Sequence, residues 1–182
     1  MNSKSEHKLI EKLRRQDPSA MRVLFGTYAG YLTAVCARYI SNNEDVRDLI
    51  QEAFIKIYSS IESFEYRGPG SLKAWMHRIV VNLSLKFIRD NKSLLVYEEN
   101  IGNFDIPDDD PDVENIPPEV IQSMIRKLPP GYRTVFNLFV FEDKSHKEIA
   151  EMLGIKENSS ASQFHRAKAM LAKQIEEYRR KH

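Results

Sequence analysis

Cysteine is almost missing from this 182-residue chain, and the single Cys36 excludes both an internal disulfide and a cysteine cluster for zinc. Set among apolar neighbours, it reads as a small core residue. Long apolar runs are missing as well. No stretch approaches the roughly 18–20 residues that span a bilayer, and the opening MNSKSEHKLIEKLRRQD has no signal-peptide core. A soluble, cytoplasmic protein without membrane insertion is therefore expected. There is no glycine-rich phosphate loop after a strand, no nucleophile motif and no His/Cys ligand spacing. His7, His77, His146, His165 and His182 are scattered, and each suits a surface or groove position better than a metal site. No catalytic residue, metal or cofactor is expected.

Net charge is small, +1, but its distribution is not even. Residues 1–92 hold 15 Lys/Arg against 10 Asp/Glu, residues 93–117 hold none against 8, and residues 118–182 hold 12 against 8. Two basic blocks thus flank an acidic strip, and basic blocks are where a polyanion would bind. The aspartates, glutamates and prolines of 93–117 show little periodicity and cannot bury enough surface to order themselves, so they read as a linker between two small domains.

The rest reads as helix, with no convincing strand and no internal repeat. Leu9, Ile10 and Leu13 suggest a first helix ending near Asp17-Pro18, with Pro18 opening the next as a first-turn proline. From Ser19 to Ile40, Met21, Leu24, Phe25, Tyr28, Tyr31, Leu32, Val35 and Tyr39 keep a helical period. Asn42 or Asn43 caps a third helix from Glu44 to about Ser60, with Val46, Leu49, Ile50, Ala53, Phe54 and Ile57 on its buried side. The loop EYRGPG breaks the pattern, and Ser71 reads as the cap of a fourth helix that runs to about Asn91. Beyond the linker come helices over 118–128 and 132–142, separated by Pro129-Pro130-Gly131.

The stretch SHKEIAEMLGIKENSSASQFHRAKAMLAK, Ser145 to Lys173, reads as two helices around a glycine turn. Ser145 and Glu148 have capping-box spacing, Ile149, Ala150, Met152 and Leu153 form an apolar stripe, and Gly154 supplies the stop. Ser160 and Gln163 repeat the cap spacing, while Phe164, Ala167, Leu171 and Ile175 would face a core. That leaves Ser159, Ser162, Gln163, His165, Arg166 and Lys168 for the outer face. Such a helix suits the major groove, although pairs of capped amphipathic helices also occur in proteins that never meet DNA.

Two further features bear on function. Asp45, Asp48 and Glu52 fall at i, i+3 and i+7 with Gln51 beside them, so their carboxylates share one helix face, which suits either a solvated surface or a partner. The fourth helix mixes Lys73, Arg78, Lys86, Arg89 and Lys92 with Trp75 and Phe87. The cations can offset phosphate charge, and the rings can either stack on unpaired bases or fill a core. Tyr66 and Arg67 in the preceding loop add another ring and another cation.

In order and spacing, AMRVLFGTYAGYL, NNEDVRDLIQEAFIKIY, SLKAWMHRIVVNLSLKFIR, the acidic linker and LPPGYRTVFNLFVFEDKSHKEIAEMLGIKENSSASQFHRAKAML together resemble a bacterial sigma-70 family factor of the extracytoplasmic-function group. The resemblance implies an all-α protein with a region 2 bundle over 1–92, a linker over 93–117 and a region 4 helix-turn-helix domain over 118–182. Its implied partners are core RNA polymerase, promoter DNA as duplex and as melted non-template strand, and an anti-sigma factor. Asp45, Asp48, Gln51, Glu52 and Phe54 match the polymerase-binding helix. Tyr66, Arg67, Gly68, Trp75, Asn82, Lys86 and Arg89 match the surface at the minus-ten element. His146, Lys147, Ser159, Ser162, Gln163, His165, Arg166 and Lys168 match the reader of the minus-thirty-five element.

Lys86 stands where many members carry aspartate and Ala161 where many carry a basic residue, so promoter sequence does not carry over. The linker, with Asp108, Asp109 and Asp110, reads as a solvated spacer or as a nucleic-acid mimic in a basic channel of the polymerase. A different class of reading is a dimeric regulator that binds DNA without polymerase. Such a protein needs a self-association seam, and no heptad pattern supplies one.

Overall fold

The computed structural model describes residues 3–91 and 114–181, and among them every regular element is helical. The chain divides into two compact units, residues 1–87 and 88–182.

The first unit begins with α1 (Ser3–Arg14), whose Leu9, Ile10 and Leu13 are buried as their spacing predicts. The helix ends without glycine: Gln16 adopts φ 57°, the Asp17 N–H reaches the Lys12 carbonyl and the Gln16 N–H reaches that of Leu13. This left-handed exit is a Schellman closure. Asp17 then caps α2 (Pro18–Tyr39), its carboxylate accepting from the Ser19 N–H at 2.8 Å, with Pro18 in the first turn where no N–H is needed. Asn42, not Asn43, caps α3 (Asn43–Ser60) by accepting from Glu44 and Asp45. A short 3₁₀ turn, Ile61–Ser63, and a loop lead into α4 (Ser71–Asp90). Leu24, Leu32, Tyr39, Ile57, Leu72 and Met76 are among the core side chains.

One expectation for this unit is corrected, and one apolar residue of α2 stands outside the core. Phe25 keeps the helical period but is 54% exposed, because the contact face of α2 is narrower than its apolar composition suggests. Ser71 does not cap α4; it is the first helical residue, and its hydroxyl accepts from the Arg67 N–H. The cap comes from α1, where the buried Glu6 carboxylate accepts from the N–H groups of Gly70 (2.9 Å) and Leu72 (3.1 Å).

The second unit holds α5 (Pro118–Arg126), α6 (Pro130–Val140), α7 (His146–Leu153) and α8 (Glu157–Lys181). Its core joins Ile116, Met124, Ile125, Leu128, Tyr132, Ala167, Leu171 and Ile175. Residues 93–113 of the expected linker, with Asp108, Asp109 and Asp110, lie outside the described residues. Ile116, assigned to that linker, is instead buried in this core. Pro130 and Gly131 do not break the chain but open α6, with Pro130 at a first-turn position. The capping box of α7 is complete, and Gly154 closes the helix at φ 68°.

Candidate nucleic-acid and partner interfaces

Three groups of side chains predicted to act together each lie on or beside one helix. On α3, Asp48, Gln51 and Glu52 are exposed and Asp45 is half-buried. Phe54 turns inward, 6% exposed, and meets Phe25 with ring centroids 4.9 Å apart. The acidic face carries an apolar member that its carboxylates concealed. Ile55, at i+3 from Glu52 and i+4 from Gln51, is 71% exposed, and Val23 and Phe25 on α2 are about half exposed. Exposed apolar side chains of this size suit a surface that meets another protein.

The loop before α4 needs glycine at two points, Gly68 at φ 112° and Gly70 at φ 82°, conformations that other residues rarely adopt. Arg67 is exposed and pairs with Glu65 at 3.0 Å. Tyr66 is half-buried, its ring edge-on to His7 at 5.4 Å. Trp75 is neither core nor free platform: it is half-buried and tilted against the buried Phe64 at 5.0 Å. Further along α4, Arg78, Asn82, Lys86 and Arg89 are all exposed and recur at i, i+4, i+8 and i+11, so a strip of cations and one amide runs down the helix. Lys73 departs from this strip, its ammonium lying 4.0 Å over the Tyr31 ring, while the Tyr31 hydroxyl bonds His77 Nδ1 at 2.8 Å. Lys92 lies outside the described residues.

In the helix-turn-helix pair, α8 starts four residues earlier than the cap spacing of Ser160 and Gln163 predicts. The Lys156 carbonyl accepts from Ser159 and Ser160, which places Ser160 inside the helix, fully buried. Gln163 is 6% exposed, so the outer-face assignment fails for it. Of the predicted readers, Lys147, Ser162 and His165 are exposed, and Ser159, Arg166 and Lys168 are half-buried. Arg166 donates to the Tyr132 hydroxyl at 3.2 Å. His146 is half-buried against Phe139, rings 4.7 Å apart, and Phe139 in turn meets Phe164 at 4.3 Å. Phe164 is half-buried in this aromatic group instead of filling the core. The earlier start adds a residue that spacing missed: Asn158 is exposed, and with half-buried Ala161 and exposed Ser162 and His165 it lies at i, i+3, i+4 and i+7.

Among the described residues, no group of three or more His, Cys, Asp or Glu side chains could hold a metal ion, and no helix is long and apolar enough to cross a membrane.

Residues 24–94, which carry the α3 ridge, the glycine loop and α4, match sigma-70 region 2. Residues 119–171, from α5 into α8, match sigma-70 region 4. The chain is 30% identical to the ECF RNA polymerase sigma factor SigW of Bacillus subtilis over 92% of its own length and 95% of that protein's. It belongs to the extracytoplasmic-function sigma factors. Haemophilus influenzae sigma-E, an ECF RNA polymerase sigma factor, is 29% identical over 94% of this chain and 96% of its own. A solved structure of the sigma factor RpoE with the anti-sigma factor NepR from Bartonella quintana overlaps with a TM-score of 0.48 at 19% identity, covering 85% of this chain and 96% of that one. The two matched regions occur here in the family's order, and this sigma factor serves RNA polymerase by directing it to promoters.

Proposed function

We propose that the three surfaces divide the work of promoter-directed initiation. The α3 ridge of Asp45, Asp48, Gln51 and Glu52, extended by Ile55, docks core RNA polymerase, with Phe54 supporting it from beneath. The loop Tyr66, Arg67 and Gly68, together with Trp75 and the α4 strip of Arg78, Asn82, Lys86 and Arg89, receives the melted non-template strand at the minus-ten element. Lys147, Ser159, Ser162, His165, Arg166 and Lys168 present α8 to duplex DNA at the minus-thirty-five element, and His146 holds that helix in place. The domain division is region 2 over 1–92, an acidic linker that begins at 93 and ends before the core residue Ile116, and region 4 from there to 182. The chain supplies an address and strand capture in the cytoplasm, the polymerase supplies the chemistry, and an anti-sigma factor regulates the pair.

The α4 strip is the observation that carries this reading. Three cations and an amide lie in register on one helix, close in sequence to a loop that holds an exposed arginine, and a single strand can be followed by such a row. Tethering two modest DNA contacts to one polymerase raises their effective concentration, so neither needs high affinity alone. Reconstitution with purified core polymerase and a promoter library tests the proposal. Transcription from a subset of templates is expected, and failure to bind core polymerase under mild ionic conditions would end it.

A further inference from the structure

The loop that presents Arg67 turns through two glycines at positive φ, and its own hydrogen bonds are short-range: the Arg67 N–H donates to the Ser71 hydroxyl, the Ser71 N–H to the Gly68 carbonyl, and the Arg67 guanidinium to Glu65. One helix grips it at three places. At its start, the Arg14 guanidinium donates to the Phe64 carbonyl at 2.6 Å. In its middle, the His7 ring meets Tyr66 at 5.4 Å. At its end, the Glu6 carboxylate takes the N–H groups of Gly70 and Leu72, one on each oxygen. Glu6 is only 2% exposed, and a carboxylate withdrawn from water is costly unless strong donors replace that water. Here the donors are the N–H of Gly70, just before α4, and that of Leu72 in its first turn, at the positive end of the helix dipole. Leu9, Ile10 and Leu13 anchor the same helix in the core, so the grip is stiff. All three gripping residues precede residues 24–94, the span that matches region 2.

We propose that α1 is a clamp that holds the strand-capturing loop in its receiving conformation, with Glu6 as the positioning residue. Accepting a flipped base costs unstacking energy, and a loop that also had to be ordered at that moment would add its own entropy to the barrier. A loop already held in place removes the second cost. Glu6 acts through the loop and touches no DNA. This inference rests on the strand-capture reading above.

The test uses the full chain with core polymerase, measuring polymerase affinity, the rate of promoter opening, and the spread of opening rates over templates randomised in the minus-ten segment. Glu6→Ala is expected to slow opening about tenfold, the scale of a charge-assisted hydrogen bond, and to flatten base preference while polymerase affinity holds. Glu6→Gln, which keeps one strong acceptor, falls between. Arg14→Ala and His7→Ala alter exposed side chains and decide the matter if Glu6→Ala does not fold; each should slow opening severalfold. Opening at the wild-type rate in folded Arg14→Ala and His7→Ala proteins overturns the clamp, as does an equal loss of polymerase affinity and opening. Arg67→Ala separates the two ideas: if it leaves opening and base preference unchanged, the loop's role in capture fails, and the clamp with it. If Arg67→Ala slows opening and the clamp variants do not, only the clamp fails.

Discussion

His146 Nδ1 lies 3.0 Å from the Ser160 hydroxyl, joining the two helices of the helix-turn-helix pair. With its ring stacked on Phe139, His146 sets the spacing of α7 against α8. His146→Ala is therefore expected to destabilise the protein by about 1–2 kcal/mol, from one lost hydrogen bond and one ring contact. Its neighbour Lys147 is exposed, and Lys147→Ala should instead leave stability alone and reduce the salt dependence of promoter binding by about one ion. Thermal melts and salt titrations measure the two effects, and the same profile for both variants would refute the division.

Trp75 is propped by Phe64, so its exposed part is held at a fixed angle. Trp75→Ala should slow open-complex formation more than initial promoter binding, because a stacking platform is worth roughly 1–3 kcal/mol only once a base has left the duplex. Time-resolved opening assays distinguish the two steps; equal losses in both would count against a stacking role.

Ile55 is 71% exposed beside Gln51 and Glu52, and removing it costs the fold little burial. Ile55→Glu is expected to keep the melting temperature within a degree or two while weakening core polymerase binding by about 1–2 kcal/mol, the scale of a modest interface contact. Co-migration with core polymerase provides the measurement. Unchanged affinity would remove Ile55 from the docking surface.

Glu148 closes the capping box of α7. The Ser145 backbone N–H, then the Lys144 ammonium and the Ser145 hydroxyl, hold its carboxyl at about 2, below the ordinary 4.5. Because the folded value is the lower one, this contribution is complete above pH 4.5 and fades as pH falls toward 2. Asp17 is displaced in the same direction by its bonds to Ser19 and by Lys12. Glu148→Gln should therefore lower stability at neutral pH and converge on the wild type in that acid window. Denaturant titrations across the window read it out, and a constant gap between the two proteins would reject the linkage.

Most helix ends are legible in the linear chain. Asp17-Pro18, Asn42, Ser145 with Glu148, and Gly154 each mark one by satisfying or releasing backbone groups within a few residues, and chemistry of that kind is local. Spacing misleads where a local signal has a stronger competitor. Ser160 and Gln163 have cap spacing, yet α8 begins at Glu157 and both side chains are drawn into the interior. Phe25 and Phe164 keep the core period, yet one is exposed and the other sits in an aromatic group with His146 and Phe139. The surfaces proposed for function follow the same pattern. The carboxylates on α3 share a face because helical spacing requires it, whereas Ile55 is hidden, since an isoleucine in a helix reads as core until its neighbours are known.

From the order of residues alone came the helical class, the acidic segment between two basic blocks, most helix ends and the family, because each depends on spacing along the chain. Only the folded molecule decided that Glu6 would cap a helix more than sixty positions away, that His146 would brace α8, and that Gln163 would be lost to the interior. Those outcomes depend on which helices meet and at what depth. A carboxylate or an imidazole carries no mark of the partner that burial will give it.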